Sequence, residues 1–121
     1  MPAQPTPGSP SAPPRLKKRR EFLRVASKGR KAPMPGLVLQ AMARDDEQPA
    51  RVGFTVTKKV GNAVVRNRAR RRLKEVVRLL LREQPLRGVD LVVIGRDATG
   101  KRPFEALRRD LAQALHRTGA A

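Results

Sequence analysis

The stretch that decides the fold reads Arg51-Val52-Gly53-Phe54-Thr55-Val56-Thr57, then Lys58-Lys59-Val60-Gly61-Asn62, then Ala63-Val64-Val65-Arg66-Asn67-Arg68-Ala69-Arg70-Arg71-Arg72-Leu73-Lys74. Its first part alternates: Val52, Phe54 and Val56 point one way, Gly53, Thr55 and Thr57 the other, as a half-buried strand requires. Lys58 to Asn62 is a turn, and Asn62 has the side chain of a helix N-cap. Nothing breaks a helix from there to Gln84, after which Pro85 and Gly88 mark its end. Val65, Ala69, Leu73, Val76, Val77 and Leu80 make one stripe at about 100° per residue. Strand, turn and long amphipathic helix therefore follow one another without a linker.

Upstream, Leu16 to Lys28 lacks helix breakers and stops at Gly29. Phe22, Val25 and Ala26 fall on one face of that helix. Pro33 and Pro35 exclude helix, and Leu37 to Ala43 reads as a strand. Arg44 to Ala50 is a charged turn, so this strand and Arg51–Thr57 are expected to pair antiparallel. Downstream, Val89 to Gly95 is a short β-branched run, expected to be a buried strand. Pro103 suits a helix's first turn, and Phe104, Leu107, Leu111 and Leu115 carry the last helix to about Arg117. The expected order is α-β-β-(β)-α-β-α, an α+β two-layer sandwich with three helices on a small, mostly antiparallel sheet. Residues 15–118 are expected to form the single domain. Residues 1–14 hold six prolines and no Phe, Leu, Ile or Val, and are expected to be a disordered tail.

Charge points to the partner. The chain carries 28 Lys plus Arg against ten Asp plus Glu, a formal +18 in 121 residues. Such a surplus repels itself unless a polyanion balances it. Twenty of the basic residues are Arg, whose planar fork matches phosphate and stacks on bases. The sharpest concentration is residues 66–74, six cations in nine positions, with no acid between residues 48 and 74. A merely solvated helix face would mix Glu with Lys. On the helical wheel Arg68, Arg70, Arg71, Arg72 and Lys74 lie away from the apolar stripe, with Arg66 at its edge. Basic amphipathic helices also bind membranes or calmodulin, but the Arg bias and the lack of Trp favour nucleic acid. There is no Cys, one His (His116), no apolar run long enough to span a membrane and no apolar signal-peptide core. A cytoplasmic protein follows as the expectation.

No catalytic constellation is legible. A nuclease of its own needs paired acids for metal ions or groups for acid–base work. Only Asp45, Asp46 and Glu47 cluster, in a turn, and His116 stands alone. Neither a protein-bound metal nor a protein-bound cofactor is expected.

Residues 51–68 resemble the signature of the bacterial ribonuclease P protein family: a strand, a Lys-Lys-x-Gly-Asn-Ala turn and an Arg-Asn-Arg helix start. Arg15-Leu16-Lys17-Lys18 followed by Phe22 resembles the family's first helix, and Val89 to Arg96 its last strand. The similarity spans about residues 15–117. It implies a ribosomal-protein-S5-like fold whose crossover through the basic helix is left-handed, against the usual rule for parallel neighbours. It implies a protein, monomeric apart from RNA, that binds the catalytic ribonuclease P RNA and the 5′ leader of precursor tRNA. Mg2+ ions held largely by RNA would do the hydrolysis that makes the mature 5′ end. Carried onto this chain, Arg66, Asn67, Arg68, Arg70, Arg71 and Lys74 become contacts to the RNA subunit. Phe22, Ala26, Gln40, Thr55 and Thr57 become positions of a leader-binding cleft flanked by Lys58 and Lys59. Two of these depart from the family pattern, since aromatics usually stand where this chain has Ala26 and Gln40. Stacking is worth about 1–3 kcal/mol per base, so leader binding here should lean on charge, hydroxyls and Gln40. The rival readings are a structural, ribosomal-type RNA-binding protein, a DNA-compacting protein and an autonomous nuclease.

Overall fold

Val89–Gly95 is the strand around which the others arrange themselves, because it is apolar on both sides. In the computed structural model, which describes residues 13–121, the elements run α1 (Arg19–Lys28), β1 (Arg30–Pro33), β2 (Leu37–Ala43), β3 (Arg51–Thr55), α2 (Ala63–Glu83), β4 (Val89–Gly95) and α3 (Phe104–Thr118). Short 3-10 turns occupy Lys58–Val60 and Asp97–Gly100. The four strands form one mixed sheet in the order β1-β2-β4-β3. Three helices on a four-stranded sheet is the expected α+β class, but the further strand, the short β1, precedes Leu37–Ala43 instead of following the two expected strands. The expected tail over 1–14 falls mainly on residues outside those described.

The expected antiparallel pairing of Leu37–Ala43 with the strand that follows does not occur. β4 lies between them, antiparallel to β2 (Leu39 opposite Val93) and parallel to β3 (Phe54 opposite Val93). Burial explains the insertion. β4 presents Leu91 and Val93 to one side and Val92 to the other, all at most 2% exposed. A strand apolar on both faces is best buried at the centre of the sheet, which leaves β2 and β3 to flank it. The outer edge of β3 is covered by the N-terminal segment: Val52 N–H donates to Pro14 O (2.9 Å) and Leu16 N–H to Val52 O (3.0 Å).

The two sides of the sheet differ. Leu37, Leu39, Val52, Leu91 and Val93 face α2 and α3, meeting Leu73, Val76, Val77, Leu107, Leu111 and Leu115 in the main core. Each such side chain contributes about 1.5–3 kcal/mol by leaving water. The other side carries only α1, with a small cluster of Leu16, Val25 and Val92, edged by Phe22, Met42 and Ile94. One helix cannot cover four strands, so part of this face stays open.

The expected caps form. Asn62 Oδ1 accepts from Val65 N–H (3.0 Å) at the start of α2. Gly61, with φ +154°, makes the turn that sends the chain from β3 into α2, and a side chain there would strike Val65. Val65, expected in the buried stripe, is 38% exposed, because the first turn of α2 projects past the sheet; the stripe is buried from Ala69 to Leu80. Gly119 (φ +78°) ends α3 in the left-handed conformation typical of helix stops.

Candidate nucleic-acid interface

The cations of α2 divide by side. Asn67, Arg70, Arg71 and Lys74 lie together with Val64, which is 76% exposed, around a shallow hollow on one flank. Arg70 donates to Asn67 Oδ1 (3.4 Å), a long contact that keeps the amide beside the guanidinium. Arg71 is exposed, and none of Arg70, Arg71 and Lys74 takes part in an ion pair among the described residues. The other flank is different. Arg72, expected on the outer cationic surface, donates to Thr99 O (2.8 Å) and Arg102 O (2.5 Å). Burial and the neighbouring Arg68 push its pKa down. Arg68 donates through Nε to Gly100 O (3.0 Å) yet remains exposed. These two arginines dock α2 onto the Asp97–Gly100 turn by supplying donors to its unpaired carbonyls. Arg66 is half-buried and its Nε meets no acceptor among the described residues.

The second region is the open part of the α1 face. Strand register sets its floor: Lys31, Gln40, Val92 and Gly53 stand in one row, and Pro33, Val38, Ile94 and Thr55 in the next on the same side. Phe22 reaches over the first row. A Cβ added to Gly53 would lie 2.4 Å from Phe22 Cε2, so the ring rests directly on the glycine. Phe22 is half-buried, serving as core and wall together. Ala26 is exposed on the same helix, Gln40 and Thr55 are half-buried, and Thr57, Lys58 and Lys59 are exposed beyond the end of β3. A hollow of about 370 Å³ opens at the carboxyl ends of the parallel strands, lined by Thr57, Lys59, Gly95 and Arg96 among others. Of the expected cleft residues, Phe22, Gln40 and Thr55 thus share one face of the sheet, while Thr57 and Lys59 border the separate hollow beyond β3.

What fixes α1 over this floor is a chain of charges. Buried Asp90 accepts from Arg44 Nη1 (2.7 Å) and, bidentately, from Arg51 Nε (2.9 Å) and Nη2 (2.8 Å). Arg51 Nη1 then reaches Glu21 Oε2 on α1 (3.1 Å). Glu21 Oε1 accepts the backbone N–H groups of Lys17 and Lys18 (2.9 Å each) at the start of the helix. Those backbone donors, first Lys18 and then Lys17, with Arg51 adding to them, hold the Glu21 carboxyl at about 2 instead of the usual 4.5.

Arg15 and Phe54 contribute to the basic flank, although neither is among the expected contacts. Arg15 sits over the Phe54 ring, 5.1 Å from its centroid, and its position depends on the pairing of the N-terminal segment with Val52, which local sequence does not display. No group of three or more His, Asp and Glu able to hold a metal ion occurs among the described residues. Nor is any helix of the described residues long and apolar enough to cross a membrane.

Comparison with known proteins agrees with this geometry. Residues 11–119 match the protein-family model described as Ribonuclease P. The ribonuclease P protein component of Gluconacetobacter diazotrophicus is 70% identical over 105 residues, covering 87% of this chain and 90% of the relative. That of Paramagnetospirillum magneticum is 53% identical over 110 residues, covering 88% of this chain and 83% of the relative. Among solved structures, the ribonuclease P protein of Thermotoga maritima superposes with a TM-score of 0.72 at 29% identity, covering 85% of this chain and 96% of that one. The Staphylococcus aureus protein gives 0.71 at 25% identity, over 88% and 95%. By sequence and by fold, the chain belongs to the bacterial ribonuclease P protein family.

Proposed function

We propose that this protein binds RNA on both sides of its sheet within ribonuclease P. The flank of α2 formed by Asn67, Arg70, Arg71 and Lys74, together with Arg66 and Arg68, holds the catalytic RNA subunit. The cleft under α1 takes the single-stranded 5′ leader of precursor tRNA. The observation that carries this reading is the division of the molecule. Unpaired cations crowd one helix on the closed face, while the opposite face is left half open with Gln40 and Thr55 on it and Thr57, Lys58 and Lys59 just beyond the end of β3. A folded RNA is met by phosphate contacts from the helix, each releasing counterions. A single strand is met by a floor offering hydrogen bonds and one aromatic wall.

Among the described residues no group of three or more His, Asp or Glu is placed to hold a metal ion. We assign the Mg2+ used by the holoenzyme to the RNA, and the protein's part to neutralising phosphates, orienting the leader and raising substrate affinity. The isolated protein is expected to leave precursor tRNA uncut.

The test is single-turnover cleavage of a precursor tRNA by a bacterial ribonuclease P RNA at low magnesium, with and without the protein. Restored cleavage at the 5′ maturation site is the expected result. Binding without stimulation would favour a structural RNA-binding role instead. In the same assay Thr55→Val with Thr57→Val should weaken binding of precursor but not of mature tRNA, which lacks the leader.

A further inference from the structure

Beyond the Asn67–Arg71 surface, the same side of α2 borders a small recess that shares only Lys74 with the expected contacts. It has a volume of about 150 Å³ and is lined by Pro13, Arg15, Phe54, Lys74 and Arg78. Three distant segments meet here: the N-terminal segment, β3 and the middle of α2. We propose that Arg15, Lys74 and Arg78 around the edge of Phe54 form a notch for one backbone phosphate of RNA, which extends the RNA-binding surface of α2 onto the N-terminal segment. The inference rests on the RNA-binding reading above and names a further contact within it.

Three observations support it. Arg15 is fixed by its setting: Pro14 and Leu16 on either side are hydrogen-bonded to Val52 (2.9 and 3.0 Å), and its guanidinium stacks on Phe54. The fold therefore holds a cation against α2 instead of leaving it free in water. Second, neither Arg15 nor Lys74 has a carboxylate partner among the described residues, and Arg78 shares its charge with Glu75 alone (2.8 Å). Third, burial, then Arg15, then Arg70 lower the pKa of the Lys74 amine, which shows that like charges are packed closely enough to disfavour one another. An arrangement of uncompensated cations costs stability in the free protein, and an anion seated among them reverses the sign of that interaction. The apolar edge of Phe54 and Pro13 suits the sugar next to a phosphate, and Arg and Lys together supply the donors such a group accepts.

The experiment uses the full-length protein and ribonuclease P RNA. Binding is measured as a function of salt for wild type, Arg15→Gln, Lys74→Met and, as a charge control, Arg109→Ala on the exposed side of α3. The expected result is an affinity loss of about tenfold for each notch variant. The slope of log K against log salt should also fall by about one for the phosphate contact removed. Thermal melts should show Lys74→Met at least as stable as wild type, since it removes a repelled charge and keeps the stem. Arg15→Gln binding no worse than Arg109→Ala, while Lys74→Met still loses affinity, would overturn the notch and leave the RNA-subunit reading, to which Lys74 already belongs, standing. Wild-type protein that fails to bind the RNA would overturn both.

Discussion

Arg71 and Arg72 are neighbours in sequence and opposites in use. Arg71 projects from α2 into solvent beside Asn67, Arg70 and Lys74, with no ion pair among the described residues. Arg72, one residue and about 100° further round the helix, spends its guanidinium on the carbonyls of Thr99 and Arg102. One run of arginines therefore does two things. It leaves charge exposed on one flank, the one proposed for RNA, and on the other ties the helix to the turn that leads into α3. Composition reports both as positive charge, and only the position of the 97–102 segment separates them.

The comparison can be broken most severely at Arg72. Arg72→Ala leaves two carbonyls without their donor, and hydrogen bonds from charged groups are worth about 1.5–3 kcal/mol each. Discounted for the partial exposure of the guanidinium, a stability loss of about 2–3 kcal/mol is expected, read by urea denaturation. Arg71→Ala should do the reverse: stability within about 0.5 kcal/mol of wild type, as for other surface positions, but weaker RNA binding with a shallower salt dependence. The smallest effect extends the contrast to Arg51, whose charge is likewise committed inside the protein, to Asp90 and Glu21. The pKa of Glu21 is lowered by folding to about 2. Its contribution is therefore complete above about pH 4.5 and is lost as pH falls through about 2. Melting temperatures of wild type and Glu21→Gln should differ at neutral pH and converge as pH approaches 2.

Much of this was legible in the sequence, for identifiable reasons. The Asn62 cap, the α2 stripe from Ala69 to Leu80 and the β4 run are local signals, written within a few residues of where they act. The strand order was not, because a charged turn between Leu37–Ala43 and Arg51–Thr55 looks like a hairpin. What decided the order was the two-sided burial of Val89–Gly95, whose residues come after α2. β1 is not legible, since Arg30, Lys31 and Pro33 carry no strand pattern. At the interface, Phe22 and Thr55 were identified by resemblance, and the structure added that Phe22 rests on Gly53, a contact between α1 and β3. The contact of Arg15 with Phe54 is not legible in the sequence, because it depends on residues 14–16 pairing along β3.

The most direct test is a protein titration of single-turnover cleavage by ribonuclease P RNA at low magnesium. It compares wild type, Arg71→Ala and Arg72→Ala at a temperature where circular dichroism shows all three folded. The account predicts that Arg71→Ala needs about tenfold more protein to reach half-maximal cleavage, a change of about 1.4 kcal/mol in binding, while Arg72→Ala titrates like wild type. A folded Arg72→Ala that shifts the titration as far as Arg71→Ala would contradict the division of labour on α2.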